Sequence, residues 1–242
     1  MFYFLLQPIL FFNVILVAAA VIPAIILMVR VYKSDRLERE SPRYLRYLAV
    51  GGVLSSLIAM LAEKLSSLLL GAVVAQDSAL YNVLLYFGVV AFCEEGAKYF
   101  MLKRRSWRSS EFNCLYDGVV YAVFVALGFA LWENISYVLT FGFTTALVRA
   151  VTAIPGHACF GVFMGVFYGL AKHHERTGNE STSRVFRVLA VIVPALIHGA
   201  YDYIATAETN GFNWYFIIFI AALFALSFVL VSRTAKNDKY IA

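Results

Sequence analysis

The chain has 242 residues, 62% of them hydrophobic and only 14% charged, with 21 Phe and 15 Tyr, which is far too apolar for a soluble domain. Its net charge of +5 does not point to nucleic acid, because the basic residues are confined to short links between apolar runs, the pattern that orients a chain in a membrane. The three cysteines, Cys93, Cys114 and Cys159, are odd in number and two lie within apolar runs, which excludes a disulfide framework.

The first run, about 3–29, has no basic residue before Arg30 and is about twice the length of a signal-peptide core; it reads as a retained first span. Six more follow at about 48–75, 79–102, 115–140, 144–171, 185–206 and 214–232, each near the roughly 20 residues a crossing helix needs. Lipid offers no partner to an unpaired backbone group, so an open chain crosses only as helices. The expected fold is all-α: a polytopic integral membrane protein of about seven transmembrane helices, with residues 1–242 forming a single transmembrane domain.

Alternate links carry the basic residues. Six Lys and Arg fall in 30–46, four in 103–114, four in 172–187 and three from 233 onward; the links near 76–78, 141–143 and 207–213 hold none. The positive-inside rule then places the N-terminus outside and the C-terminus in the cytoplasm, with an odd number of crossings.

Against this apolar background, residues 91–100 read "AFCEEGAKYF". A carboxylate at the middle of a bilayer costs about 2.5–3.5 kcal/mol even on the lenient insertion scale, so Glu94 and Glu95 need partners. Lys98 lies four residues after Glu94 and three after Glu95, within helical reach of both. The two acids point about 100° apart around a helix, so one can face a site while Lys98 holds the other.

The remaining costly residues are Glu63 and Lys64 in the second span, Asp117 and Glu133 in the fourth, Arg149 and His157 in the fifth, and His198 and Asp202 in the sixth. His198 and Asp202 are four apart and share a helix face. In "PGHACFGVFMGVFYGLA", His157, Gly161, Gly165 and Gly169 recur every four residues, a stripe that lets a neighbouring helix come close beside the imidazole. Glu63 reads as a structural partner for Arg149, and Asp117 as a charge at a helix N-terminus. His173 and His174 read as solvated, and Cys159 as packing.

Two histidines and several acids on four spans make up the inventory of a hydrolytic metal site, and imidazole with carboxylate suits zinc. The same inventory builds ion pathways in transporters, with Pro155-Gly156 and Pro194 as helix interruptions, and would also survive in a non-catalytic membrane scaffold. No HExxH motif is present.

The residues resemble the PrsW family of intramembrane proteases. "EEGAK" fits its EExxK motif, "YDGVVYAVFVALGFALWEN" resembles its second block, "RAVTAIPGHACFGVFMGVFYGLAK" its third and "ALIHGAYDY" its fourth. These blocks run in order from about 91 to 203, each within an expected span. The family is thought to be related to the type II CAAX prenyl endopeptidases, whose pattern continues FxxxH and HxxxN; here Phe129 is followed by Glu133 and His198 by Asp202, so Glu stands for His and Asp for Asn.

The resemblance implies a metal-dependent endopeptidase of the cell membrane. Its partners would be the lipid bilayer and a membrane-anchored protein substrate, which in the best-known branch is an anti-sigma factor of an envelope-stress response. On that basis His157, His198, Glu133 and Asp202 are the expected metal ligands, with zinc the expected ion. Glu94 is the expected general base and acid, Glu95 and Lys98 its supports, and Asn134 the expected oxyanion donor.

Overall fold

The computed structural model describes residues 2–207 and 213–241, with side chains from Val14 onward. The link without Lys or Arg expected at 207–213 therefore lies largely outside the described residues. The helices are α1 (Phe2–Ser34), α2 (Pro42–Val73), α3 (Ala79–Val83), a π-helix (Leu84–Val90), α4 (Ala91–Ser106), α5 (Asp117–Phe141), α6 (Phe143–Val151), α7 (Ala153–Arg176), α8 (Glu180–Ala205) and α9 (Trp214–Lys236). Among the described residues the only strand-like pairing is an isolated antiparallel bridge between Cys114 and Tyr240.

Among the described residues, seven helical stretches are long and apolar enough to cross a membrane, matching the expected number. Their ends have local causes. Ser41 caps α2 by accepting from Tyr44 N at 3.2 Å, with Pro42 in the first turn, where its missing N–H costs nothing. Asn179 and Asn213 cap α8 and α9 in the same way. Gly142 and Gly178 follow α5 and α7 with φ of 84° and 78°, a backbone region open chiefly to glycine.

Two spans are less regular than expected. The third joins α3 to α4 through a π-helix that ends four residues before Glu94, and Ala91 N donates to Tyr86 O, five residues back. The fifth is two helices, α6 and α7, separated at Thr152. Pro155 is not the break: it sits in the first turn of α7, where proline is tolerated. Pro194 lies inside α8, four residues before His198, and has no N–H to return to the preceding turn.

Helix α5 runs through the centre. Nearly all of its first half is buried, and glycines draw its neighbours onto it. A Cβ on Gly165 would stand 2.4 Å from Val119 Cα, and one on Gly169 2.4 Å from Leu115 O, so the small-residue stripe of α7 packs on α5, as its spacing suggested. On the other side, a Cβ on Gly52 of α2 would lie 2.0 Å from Val125 O, whereas one on Gly96 of α4 meets nothing within 4 Å. Gly52→Ala is therefore expected to destabilise by about 1–3 kcal/mol through overpacking, and Gly96→Ala to be neutral or to stabilise by up to about 1 kcal/mol. Equal unfolding midpoints for the two variants in detergent titration would count against the α2–α5 contact.

The four basic links meet at one end of the bundle. Ser41 N donates to Glu111 Oε2 at 3.3 Å, Asn113 Nδ2 to Glu38 Oε2 at 3.3 Å, Tyr116 N to Asp238 Oδ1 at 2.8 Å, and Trp107 Nε1 to Glu175 Oε1 at 2.8 Å. Asp117 opens α5 as expected, its Oδ2 accepting from Asn113 N and Cys114 N. His173 and His174 are half-buried rather than solvated, and His174 stacks on Phe186 at 5.3 Å, because α8 folds back over the end of α7. The three cysteines are free.

At this end Glu40 is 5% exposed and its Oε1 lies 2.6 Å from Tyr121 Oη, which also lies 2.8 Å from Glu111 O. One phenolic proton cannot serve both acceptors, so a protonated Glu40 donating to Tyr121, which donates to Glu111 O, satisfies all three groups. Burial pushes the Glu40 carboxyl up to about 9 despite the Tyr121 hydrogen bond, and the nearby Asp117 adds to the rise. The folded state thus holds a proton that the unfolded chain releases near its ordinary 4.5, and this site's contribution to stability falls as pH rises between those values. Glu40→Gln, which keeps a donor and an acceptor, is expected to raise the unfolding midpoint at pH 8 and to flatten its fall with pH. An unchanged pH profile would show that Glu40 is ionised in the fold.

Candidate active site

The functional side chains come from six helices, α2 and α4 to α8, around a cavity of about 530 Å³ lined by Glu63, Glu94, Glu133, Arg149, His157, His198 and Asp202. Lys98 lies behind it and is fully buried. Its Nζ is 3.1 Å from Glu94 Oε2, 2.7 Å from Glu95 Oε1 and 3.1 Å from His157 Nδ1, and sits 4.0 Å from the Phe129 ring centroid. One ammonium on α4 thereby organises both glutamates of its own helix and the imidazole of α7. Of the two acids, Glu94 lines the cavity while Glu95 is fully buried behind it, the division of labour expected from their helical offset.

The histidines are fixed by these neighbours. An ammonium has donors only, so His157 Nδ1 accepts from Lys98, and its Nε2 carries the proton donated to Glu133 Oε2 at 2.8 Å. His198 is held in the opposite sense: Nδ1 donates to Glu95 Oε1 at 2.9 Å, leaving Nε2 toward the cavity, 3.4 Å from Asp202 Oδ2. Phe160 stacks on the His198 ring at 4.5 Å, and the two imidazole centroids are 5.4 Å apart.

The four expected ligands are thus brought to one cavity as two close pairs, His157 hydrogen-bonded to Glu133 and His198 with its Nε2 beside the Asp202 carboxylate. Among the described residues, the group whose ligand atoms all come within 4.8 Å of one another is Glu94, Glu95 and His157, and Lys98 Nζ contacts all three. That position already holds a cation.

Two expectations need correction. Arg149 pairs with Glu133 Oε2 at 3.0 Å, not with Glu63, because the break at Thr152 turns α6 so that Arg149 points back along α5. Glu63 instead lines the cavity. Asn134 is fully buried, and its amide is committed elsewhere: Nδ2 donates to Ala20 O at 3.1 Å and Oδ1 accepts from Arg149 Nε at 2.9 Å. It orients Arg149 and does not reach the cavity. The sequence carried a signal for Arg149, a lone arginine at membrane depth, but its partner depended on the helix break.

Five carboxylates, Glu63, Glu94, Glu95, Glu133 and Asp202, therefore surround two fixed cations, Lys98 and Arg149. An excess of negative charge at membrane depth, lined by two imidazoles, calls for protons or a further cation.

Comparison with known proteins decides between the protease, transporter and scaffold uses of such a cluster. Residues 40–230 match the family model described as PrsW family intramembrane metalloprotease. The chain is 33% identical to the Protease PrsW of Clostridioides difficile, covering 92% of each, and 30% identical to that of Oceanobacillus iheyensis, covering 92% of this chain and 97% of the relative. Over 151 residues it is 36% identical to the Protease PrsW of Bacillus subtilis, 62% of this chain and 65% of the relative. No solved structure matches it. With seven helical stretches of membrane length among the described residues and an acid–histidine cavity within the bundle, the chain belongs to the PrsW family and is a multi-pass intramembrane protease of the cell membrane.

Proposed function

We propose that the chain is a metal-dependent endopeptidase that cleaves a membrane-anchored protein, and that Glu94 moves the protons of the reaction. The observation that carries this reading is the unbalanced charge of the cavity: five carboxylates and two imidazoles against two fixed cations. That donor set fits a zinc ion. His198 is the ligand best prepared, since the Glu95 carboxylate fixes its tautomer and leaves Nε2 open, the carboxylate–histidine arrangement common around bound metals. Asp202 and Glu133 supply oxygen ligands beside the two rings. For His157 to offer Nε2, Nδ1 must carry the proton and Lys98 must release it.

A bound metal would polarise the scissile carbonyl and lower the pKa of the attacking water toward about 7. Glu94, facing the cavity, accepts the water's proton and returns it to the leaving amine. Lys98 holds Glu94 and Glu95 in place. The oxyanion role expected of Asn134 passes to Arg149, whose guanidinium lines the cavity with Asn134 behind it. The family resemblance supplies an anti-sigma factor as the substrate to try first, and the positive-inside rule makes the basic end cytoplasmic.

Metal content per chain tests the proposal. The parent is expected to retain about one zinc, and His198→Ala and His157→Ala to lose it while keeping helicity. A parent that binds no metal under non-chelating conditions, with zinc added, would remove metal dependence and leave a protease working by carboxylates alone.

A further inference from the structure

A second cavity, of about 970 Å³, lies at the basic end between the last turn of α4, the end of α7 and the start of α8. Its floor is built from buried, hydrogen-bonded groups. Lys172 is 5% exposed, and its Nζ donates to Trp107 O at 2.9 Å and Glu175 Oε2 at 2.7 Å. Trp107, 8% exposed, donates its indole N–H to Glu175. Arg187 lies 5.5 Å from the Trp107 ring centroid and pairs with Glu180.

Lys103, Arg104, Arg108 and Arg176 complete the lining. Among the described residues no carboxylate pairs with any of these four. Glu175 is the one acid of the lining, and it is already engaged by Lys172 and Trp107. The pocket therefore presents four uncommitted cations to an anion.

The wall below identifies the anion. Phe100 lines the same pocket and is 52% exposed. It precedes Lys103 and Arg104 by three and four residues, on the same face of α4, about 4.5–6 Å deeper toward the membrane centre. A free phosphate has no use for an apolar wall continuing into the bilayer. A phospholipid does, because its acyl chains must run down from its headgroup.

We propose that this pocket binds the phosphodiester headgroup of an anionic phospholipid from the leaflet at the basic end of the bundle, with its acyl chains descending past Phe100. Arginine and lysine recognise the phosphate by charge-assisted hydrogen bonds. The site is separate from the acid–histidine cavity and does not depend on how that cavity works.

The full chain would be reconstituted in phosphatidylcholine nanodiscs with and without phosphatidylglycerol, and retained lipid counted by native mass spectrometry after gentle release. Phosphatidylglycerol is expected to be retained in preference to phosphatidylcholine, and Arg104→Gln with Arg108→Gln to lower its retention by roughly tenfold or more. Arg36→Gln with Arg43→Gln removes the same charge from exposed positions at the same end and is expected to retain the lipid. Equal loss in both double variants, at preserved helicity, would reduce the effect to bulk charge and overturn the site. A second arm compares protection of the detergent-solubilised chain against heating by inorganic phosphate and by phosphatidylglycerol. Equal protection would assign the pocket to a free anion and overturn the lipid.

Discussion

Replacing Glu94 by Gln is expected to lower peptide-bond hydrolysis by roughly 10²–10⁴-fold, the usual contribution of a positioned general base, while helicity and zinc content stay at the parent level. The fold is expected to survive because Lys98 keeps Glu95 as its counter-charge at 2.7 Å and the carbonyl of the substituted amide can still accept from it. Activity is lost because an amide cannot take a proton from water. Glu95→Gln is the informative comparison. Glu95 is fully buried and holds both Lys98 and His198, so its loss should lower stability and zinc affinity more than the chemistry of the folded fraction. Per-molecule turnover of folded protein on a membrane-anchored substrate separates the two. If Glu94→Gln turns over normally and Glu95→Gln does not, the proton carrier is Glu95.

Lys98→Met is expected to destabilise the protein by about 3–5 kcal/mol, the cost of breaking a buried ion pair from one side, out of a total near 5–15 kcal/mol. The ammonium is fully buried and touches Glu94, Glu95 and His157. Methionine fills the same length but leaves Glu94 and Glu95 without their shared counter-charge, Glu95 in a fully buried position. The double variant Lys98→Met with Glu95→Gln removes one of the stranded charges and is expected to recover part of the loss. Unfolding midpoints in mixed-micelle titration measure this. A Lys98→Met protein as stable as the parent, or a double variant worse than the single, would mean that Lys98 does not balance the pair.

The amino-acid sequence by itself determined the class of fold and drew out most of the ionisable residues that meet at the cavity. Apolar length sets the number of crossings because lipid leaves an unpaired backbone group no partner. The expense of charge at depth singles out Glu94, Glu95, Lys98, Glu133, His157, His198 and Asp202, and helical periodicity alone makes Lys98 reach both glutamates while only one of them faces the cavity. The glycine stripe after His157 likewise announced its close packing on another helix. Tertiary structure decided which residues are partners. Arg149 goes to Glu133 and Asn134, and Glu63 to the cavity wall, because the chain breaks at Thr152; a window of hydropathy reads α6 and α7 as one span. The contact of Lys98 with His157, 59 residues apart, has no local signature, yet it sets which imidazole nitrogen carries the proton. The basic pocket was legible only as scattered link charges until α4, α7 and α8 brought them together around Trp107. Local patterns report what each helix must bury, whereas hydrogen-bond partners between helices follow from their relative placement, which short-range sequence does not encode.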